Sequence, residues 1–111
     1  MLKGFWRFHK KENWLNKYVE IQNSLYEQLE NITKNELDTS INKLVDACIE
    51  NYKVEDDKII IYPKVDSEIN VGRTIRIRES MWNKLEDYRN EYGISIYQLI
   101  NISIRYTLDN N

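Results

Sequence analysis

The sequence predicts a mainly helical protein with a short two-stranded β ribbon. Two five-residue runs, 18–22 and 74–78, alternate apolar and polar residues in the manner of strands, and two amphipathic helical patterns follow each run. Only three glycines and one proline interrupt these patterns. Because a chain of 111 residues has room for one hydrophobic core, we expect residues 1–111 to form a single compact domain.

The composition excludes several classes of protein. With 41% hydrophobic and 31% charged residues, the chain is expected to fold rather than to stay disordered. Its longest apolar runs are far shorter than the roughly 20 residues of a membrane span, and the N-terminus lacks an apolar leader, so we expect no membrane association and a cytoplasmic location. Cys48 is the single cysteine and His9 the single histidine. We therefore predict no disulfide, metal site or cofactor, and a buried, inert Cys48.

The chain contains the same unit twice, since residues 18–52 overlay on residues 74–107. At an offset of 56, Val19 and Ile21 align with Ile75 and Ile77. After one residue is dropped, the offset becomes 55 and Ser40 aligns with Ser95. Strand, helix and helix recur in this order, which predicts a duplication.

The two strands are expected to pair with each other. Alternation places Val19, Ile21, Ile75 and Ile77 toward a core, and the residues between them toward the opposite face. A lone short strand leaves its backbone hydrogen bonds unsatisfied, so each unit needs a partner. We predict an antiparallel ribbon of 18–22 and 74–78.

The helical patterns predict two helices in each unit. The first helices are expected over 25–35 and 81–91, with Ser24 and Glu27 forming a capping box. Gly93 and its counterpart Asp38 are suited to the left-handed conformation that ends a helix. Ser40 and Ser95, or the residue beside each, then cap second helices whose apolar stripe faces inward. Together the helices predict a four-helix core beneath the ribbon.

Residues 53–72 link the two units. Within them "KIIIYPKV" is typical of a short strand over 58–62, and Pro63 restricts such a strand to an edge. Two arrangements stay open. Either this strand lies outside the ribbon, or it forms a hairpin with 74–78 and takes the place of 18–22.

The duplicated residues resemble the ribbon-helix-helix DNA-binding proteins of the Arc, MetJ and CopG type. The similarity is closest over 73–108, which has the strand, the short helix, the Gly-x-Ser turn at 93–95 and the second helix. Residues 18–52 match more loosely, with Asp38 in place of the turn glycine. The resemblance implies a tandem fusion of two ribbon-helix-helix units that form an intramolecular pseudo-dimer.

The resemblance also implies that the ribbon enters the major groove of double-stranded DNA and that its outward side chains contact base edges. The residues implied as base readers are Thr74, Arg76 and Arg78 on the second strand and Tyr18, Glu20 and Gln22 on the first. Arginine matches guanine, glutamine matches adenine and glutamate accepts from cytosine, each good pair discriminating by about 1–3 kcal/mol. Because the strands differ, we expect an asymmetric site, and two molecules could bind side by side on an array.

Phosphate contacts are expected from the starts of the second helices and from basic side chains. The residues concerned are Ser40, Ser95, Arg73, Lys17, Arg7, Lys10 and Lys11. The last four belong to a basic, aromatic N-terminal arm, 1–17, with a net charge of +4. The arm either tracks the DNA backbone or packs its aromatic rings on the helices.

The hypothesis favoured by the sequence is a sequence-specific DNA-binding protein, a transcriptional repressor or a plasmid or phage accessory protein. An enzyme is not expected, since the chain lacks a phosphate-binding glycine loop and a nucleophile–base pair. The alternative is a protein-interaction module, antitoxin-like or inhibitory, that presents the acidic surface of 18–52 to a protein partner. The net charge of −2 and the carboxylate of Glu20 motivate that alternative, and residues 18–52 carry a net charge of −5.

Overall fold

The computed structural model describes residues 12–35, 40–59 and 69–110. Within these ranges, two strands and four helices follow one another as strand, helix, helix, twice over. The elements are β1 Trp14–Gln22, α1 Asn23–Asn35, α2 Ile41–Asn51, β2 Asn70–Arg78, α3 Glu79–Tyr92 and α4 Ile96–Asp109. The predicted fold class is confirmed at this level: a two-stranded antiparallel ribbon and four helices.

Each strand is nine residues long and begins four residues earlier than predicted. Their antiparallel register places Tyr18 opposite Thr74, with Trp14 opposite Arg78 at one end and Gln22 opposite Asn70 at the other. Tyr18 and Thr74 are themselves equivalent at the offset of 56. The ribbon is therefore centred on a pair of equivalent residues.

The partner of β2 is β1, so the hypothesis that 58–62 forms a hairpin with 74–78 is wrong. Long strands favour the observed pairing, because each added residue extends the ladder of backbone hydrogen bonds. Lys58 forms an isolated bridge with Glu55, and most of the proposed edge strand, 60–62, lies outside the described residues.

The core lies between one face of the ribbon and the helices. Val19, Ile21, Ile75 and Ile77 are all at most 1% exposed, as the alternation predicted. Beneath these four side chains, the second helices α2 and α4 bury their apolar stripes, which include Leu44, Cys48 and Leu99. Burying an aliphatic side chain of this size stabilises a fold by about 1.5–3 kcal/mol.

The first helix of each unit begins directly where its strand ends. α1 begins at Asn23 and α3 at Glu79, each one residue before a serine, Ser24 or Ser80, so the capping box predicted at Ser24 is wrong. The backbone explains the early start: Asn23 N–H donates to the carbonyl of Ile69 (3.1 Å), and Glu79 N–H donates to that of Asn13 (2.9 Å). Each helix is thus anchored to the residue that precedes the opposite strand.

The second helices begin as predicted. Ser40 Oγ accepts from the N–H of Lys43, and Ser95 forms a capping box with Gln98. Gly93 ends α3 with a φ of 70°, in the left-handed region. Asp38, its expected counterpart, lies outside the described residues. Among the helices of the described ranges, none is long and apolar enough to cross a membrane.

Candidate nucleic-acid interface

One face of the ribbon, which we call the outer face, points away from the core. Its central side chains are open to solvent: Tyr18 is 55% exposed, and Asn16, Thr74 and Arg76 are also exposed. Members of the outer face are Trp14, Asn16, Tyr18, Glu20 and Gln22 on β1 and Asn70, Gly72, Thr74 and Arg76 on β2. Five of the six residues predicted to read bases therefore lie together on one surface.

Arg78 is the exception, and its prediction as an outward base reader is wrong. The residue is only 5% exposed, because its guanidinium binds two carboxylates of α2. Nε lies 2.6 Å from Asp46 Oδ2, and Nη2 lies 2.7 Å from Glu50 Oε1. Asp46 is itself 2% exposed, and a buried carboxylate requires a counter-charge. Strand alternation could not reveal this partner, since it belongs to another helix.

The charge of Arg78 is secured by these contacts. Burial alone lowers the pKa of its guanidinium, but hydrogen bonds and charge from Glu50 and Asp46 outweigh it and raise the pKa. Glu12 adds a longer contact of 4.0 Å to Nη1, and its carboxylate also accepts from the N–H and hydroxyl of Ser80. The end of the ribbon is therefore tied to α2 and to the start of α3.

The other end of the ribbon has an equivalent but uncharged contact. Arg78 N–H donates to Asp46 Oδ1 (3.0 Å), and Gln22 N–H donates to Asn101 Oδ1 (2.8 Å). Gln22 is equivalent to Arg78, and Asn101 to Asp46, in the overlay of the two units. Each strand end is thus bound to the second helix of the other unit, once by a carboxylate and once by an amide.

Asn16 and Trp14 join the outer face, although neither was predicted as a site residue. Asn16 lies directly opposite Arg76, whose guanidinium carbon is 5.8 Å from the centre of the Trp14 ring. The prediction missed them because it began β1 at Tyr18. Leu15 and Lys17 extend the inward side of the strand toward the N-terminus, but a lysine at an inward position does not fit a pattern of alternating apolar and polar residues.

The middle of the outer face is shaped by Tyr18 and Gly72. A Cβ added to Gly72 would lie 2.9 Å from Cζ of Tyr18 and would overlap its hydroxyl. The ring can lie across the neighbouring strand only because that position carries no side chain. Glu20, opposite Gly72, is the acidic residue of this face, and Arg76, opposite Asn16, is a basic one.

The remaining predicted phosphate contacts fall in three places. Lys17 and Arg73 have inward positions in the ribbon, but their cationic ends lie against the aromatic rings of Trp82 and Tyr26. Ser40 and Ser95 are exposed at the starts of α2 and α4, and each hydroxyl oxygen accepts a helix N–H. Arg7, Lys10 and Lys11 lie outside the described residues.

The acidic surface of 18–52 is smaller than the sequence indicates. Asp46 is buried against Arg78, the half-exposed Glu50 binds the same guanidinium, and Glu36 and Asp38 lie outside the described ranges. Glu20, Glu27 and Glu30 stay at least partly exposed.

Comparison of the chain with protein-family models, with curated proteins and with solved structures found no match.

Proposed function

We propose that this protein binds double-stranded DNA in a sequence-specific manner by inserting its ribbon into the major groove. The observation that carries the proposal is the two-sided ribbon, which buries one face on the helices and opens the other, polar face to solvent. A two-stranded ribbon fits the major groove, which is about 12 Å wide. Polar side chains on its open face can then reach base edges.

The proposal includes a ribbon-helix-helix pseudo-dimer built from the two units. Two sets of contacts support it besides the centring of the ribbon on Tyr18 and Thr74. Arg78–Asp46 and Gln22–Asn101 occupy equivalent positions, and so do Lys17–Trp82 and Arg73–Tyr26. Equivalent contacts at equivalent positions are the property of a two-fold arrangement.

The outer face favours an asymmetric target. In one half, Arg76 and Asn16 are adjacent, and these side chains match guanine and adenine. The other half has Glu20, which can accept from cytosine, with Gln22 beside it. Tyr18 and Thr74 lie at the centre, where the methyl group of threonine can contact that of thymine. Repression of transcription, or an accessory role on a plasmid or phage, is the cellular function we propose for such binding.

Selection from a random duplex pool, followed by fluorescence anisotropy on the enriched sequence, tests the proposal. Arg76→Ala should weaken specific binding by about 1–3 kcal/mol and relax the preference at one base pair. Arg89→Ala is the matched control, because Arg89 is an exposed arginine of α3 roughly 16 Å along the helix from the ribbon. It should leave specificity unchanged.

The base-reading proposal fails if the pool yields no enriched sequence, or if Arg76→Ala binds the enriched sequence as tightly as the unaltered protein does. A stoichiometric protein partner that binds in the absence of DNA would then support the interaction module instead.

A further inference from the structure

We propose that Lys17 and Arg73 are a matched pair of phosphate contacts, one for each DNA strand, and that Trp82 and Tyr26 hold them in position. This inference rests on the proposed function and assigns the two aromatic residues a part in it. The pair acts at the two edges of the ribbon and contributes affinity rather than sequence preference.

The two contacts are equivalent in the overlay of the units. Lys17 Nζ lies 4.7 Å from the centre of the Trp82 ring, and Arg73 Cζ lies 5.3 Å from the centre of the Tyr26 ring. Lys17 and Arg73 differ by the offset of 56, and so do Tyr26 and Trp82. Each cation therefore contacts the first helix of the other unit, and the arrangement occurs once on each side of the ribbon.

Their place in the ribbon explains why phosphates are the partners. Neither side chain is on the outer face, so neither can reach a base edge when that face enters the groove. In the part of the chain that the structure describes the ribbon has two strands, so each strand is an edge, and in the groove the two edges would face the two phosphate backbones. Lys17 extends from β1 and Arg73 from β2. One cation is thus available to each backbone.

The rings act by limiting where the cations go. Lysine and arginine side chains are flexible, and fixing one against a phosphate costs conformational entropy on binding. A cation held against an aromatic face has lost part of that freedom already. Tyr26 is 6% exposed and Trp82 is half-buried, so the fold fixes both rings before DNA arrives.

The salt dependence of DNA binding tests the pair. Each phosphate neutralised contributes about −0.9 to the slope of log affinity against log salt. Lys17→Gln and Arg73→Gln should each reduce that slope by about 0.9, and the double variant by about 1.8. When salt rises from 50 to 200 mM, the affinity of each single variant should therefore fall by a factor about 3.5 times smaller than that of the unaltered protein.

Matched controls separate a local contact from a change in net charge. Lys34→Gln and Arg89→Gln remove the same charges from exposed positions about 16–18 Å along α1 and α3 from the strand ends. Both should leave the slope unchanged. Equal reductions in the control variants would overturn the assignment.

The aromatic residues are tested in the same assay. Trp82→Leu should weaken binding about threefold or more while the slope is retained, because the cation stays but is less ordered. Trp82→Phe, which keeps an aromatic face, should restore most of the affinity. Thermal unfolding of each variant ensures that binding is compared between folded proteins.

The outcomes distinguish this inference from the proposed function. If the unaltered protein binds DNA and all four cation variants share one slope, Lys17 and Arg73 do not contact phosphates. If Trp82→Leu and Trp82→Phe bind equally well, Trp82 does not position Lys17. If the unaltered protein binds no DNA at any salt concentration, the proposed function itself fails.

Discussion

Replacing Arg78 and Asp46 together should lower the free energy of unfolding by less than the sum of the two single replacements. Arg78→Gln removes the guanidinium from the buried Asp46 carboxylate, which is 2% exposed and lies 2.6 Å away. Removing one member of a buried ion pair typically costs 3–5 kcal/mol. We expect about 3 kcal/mol here, since part of the site borders the half-exposed Glu50.

Asp46→Asn should cost less, about 1–2 kcal/mol, because Arg78 keeps its contact with Glu50 at 2.7 Å and the amide can still accept from the N–H of residue 78. The double variant places at this end of the ribbon the same side chains that Gln22 and Asn101 have at the other end. We expect a total loss of about 2 kcal/mol. The coupling is then about 2–3 kcal/mol, within the range for contacting residues.

Urea unfolding, followed by tryptophan fluorescence and by circular dichroism, measures the four free energies of the cycle. Arg89→Gln is the control, because Arg89 makes an exposed contact of 3.8 Å with Glu86, and its replacement should cost less than about 0.5 kcal/mol. Additive losses in the double variant would refute the reasoning. So would a loss from Arg78→Gln no larger than that of the control.

Three further predictions concern other parts of the fold. Burial raises the pKa of Cys48 from 9.0 to about 12, while a hydrogen bond with Thr107 opposes the rise. Because the unfolded chain releases this proton first, the stability that the neutral thiol contributes is complete below pH 9 and is lost between pH 9 and 12. Between pH 8 and pH 10.5, the free energy of unfolding measured in urea should fall by about 2 kcal/mol less in Cys48→Ser than in the unaltered protein. Equal falls in the two proteins would contradict this. Gly72→Ala should displace the Tyr18 ring from the ribbon with a stability change below about 0.5 kcal/mol, since the ring is exposed; unaltered ring contacts in nuclear Overhauser spectra would show the opposite. Asp57→Gly should stabilise the protein by about 0.5–1 kcal/mol in thermal unfolding, because Asp57 has a φ of 55° in a tight turn, whereas Asp57→Ala should bring no such gain.

The pattern of apolar residues determined the order and the inward faces of the elements. Val19 and Ile75 alternate with polar neighbours, and this period of two is a local property of a strand. Ser95 and Gly93 likewise act on backbone groups within a few residues, so the helix limits at that turn could be predicted. The duplication supplied the pairing, because each unit lacked a partner for its strand.

Contacts between side chains of distant elements could not be predicted from local patterns. Arg78 follows the same alternation as Arg76, yet one is buried against Asp46 and the other is open to solvent. The difference comes from a carboxylate 32 residues away, which no local period records. Lys17 at an inward position is explained in the same way by the ring of Trp82. The alternation of apolar and polar residues defines the two faces of the ribbon. Packing of the helices against it selects which charged side chains stay exposed, because a charge is buried only where another element brings its partner.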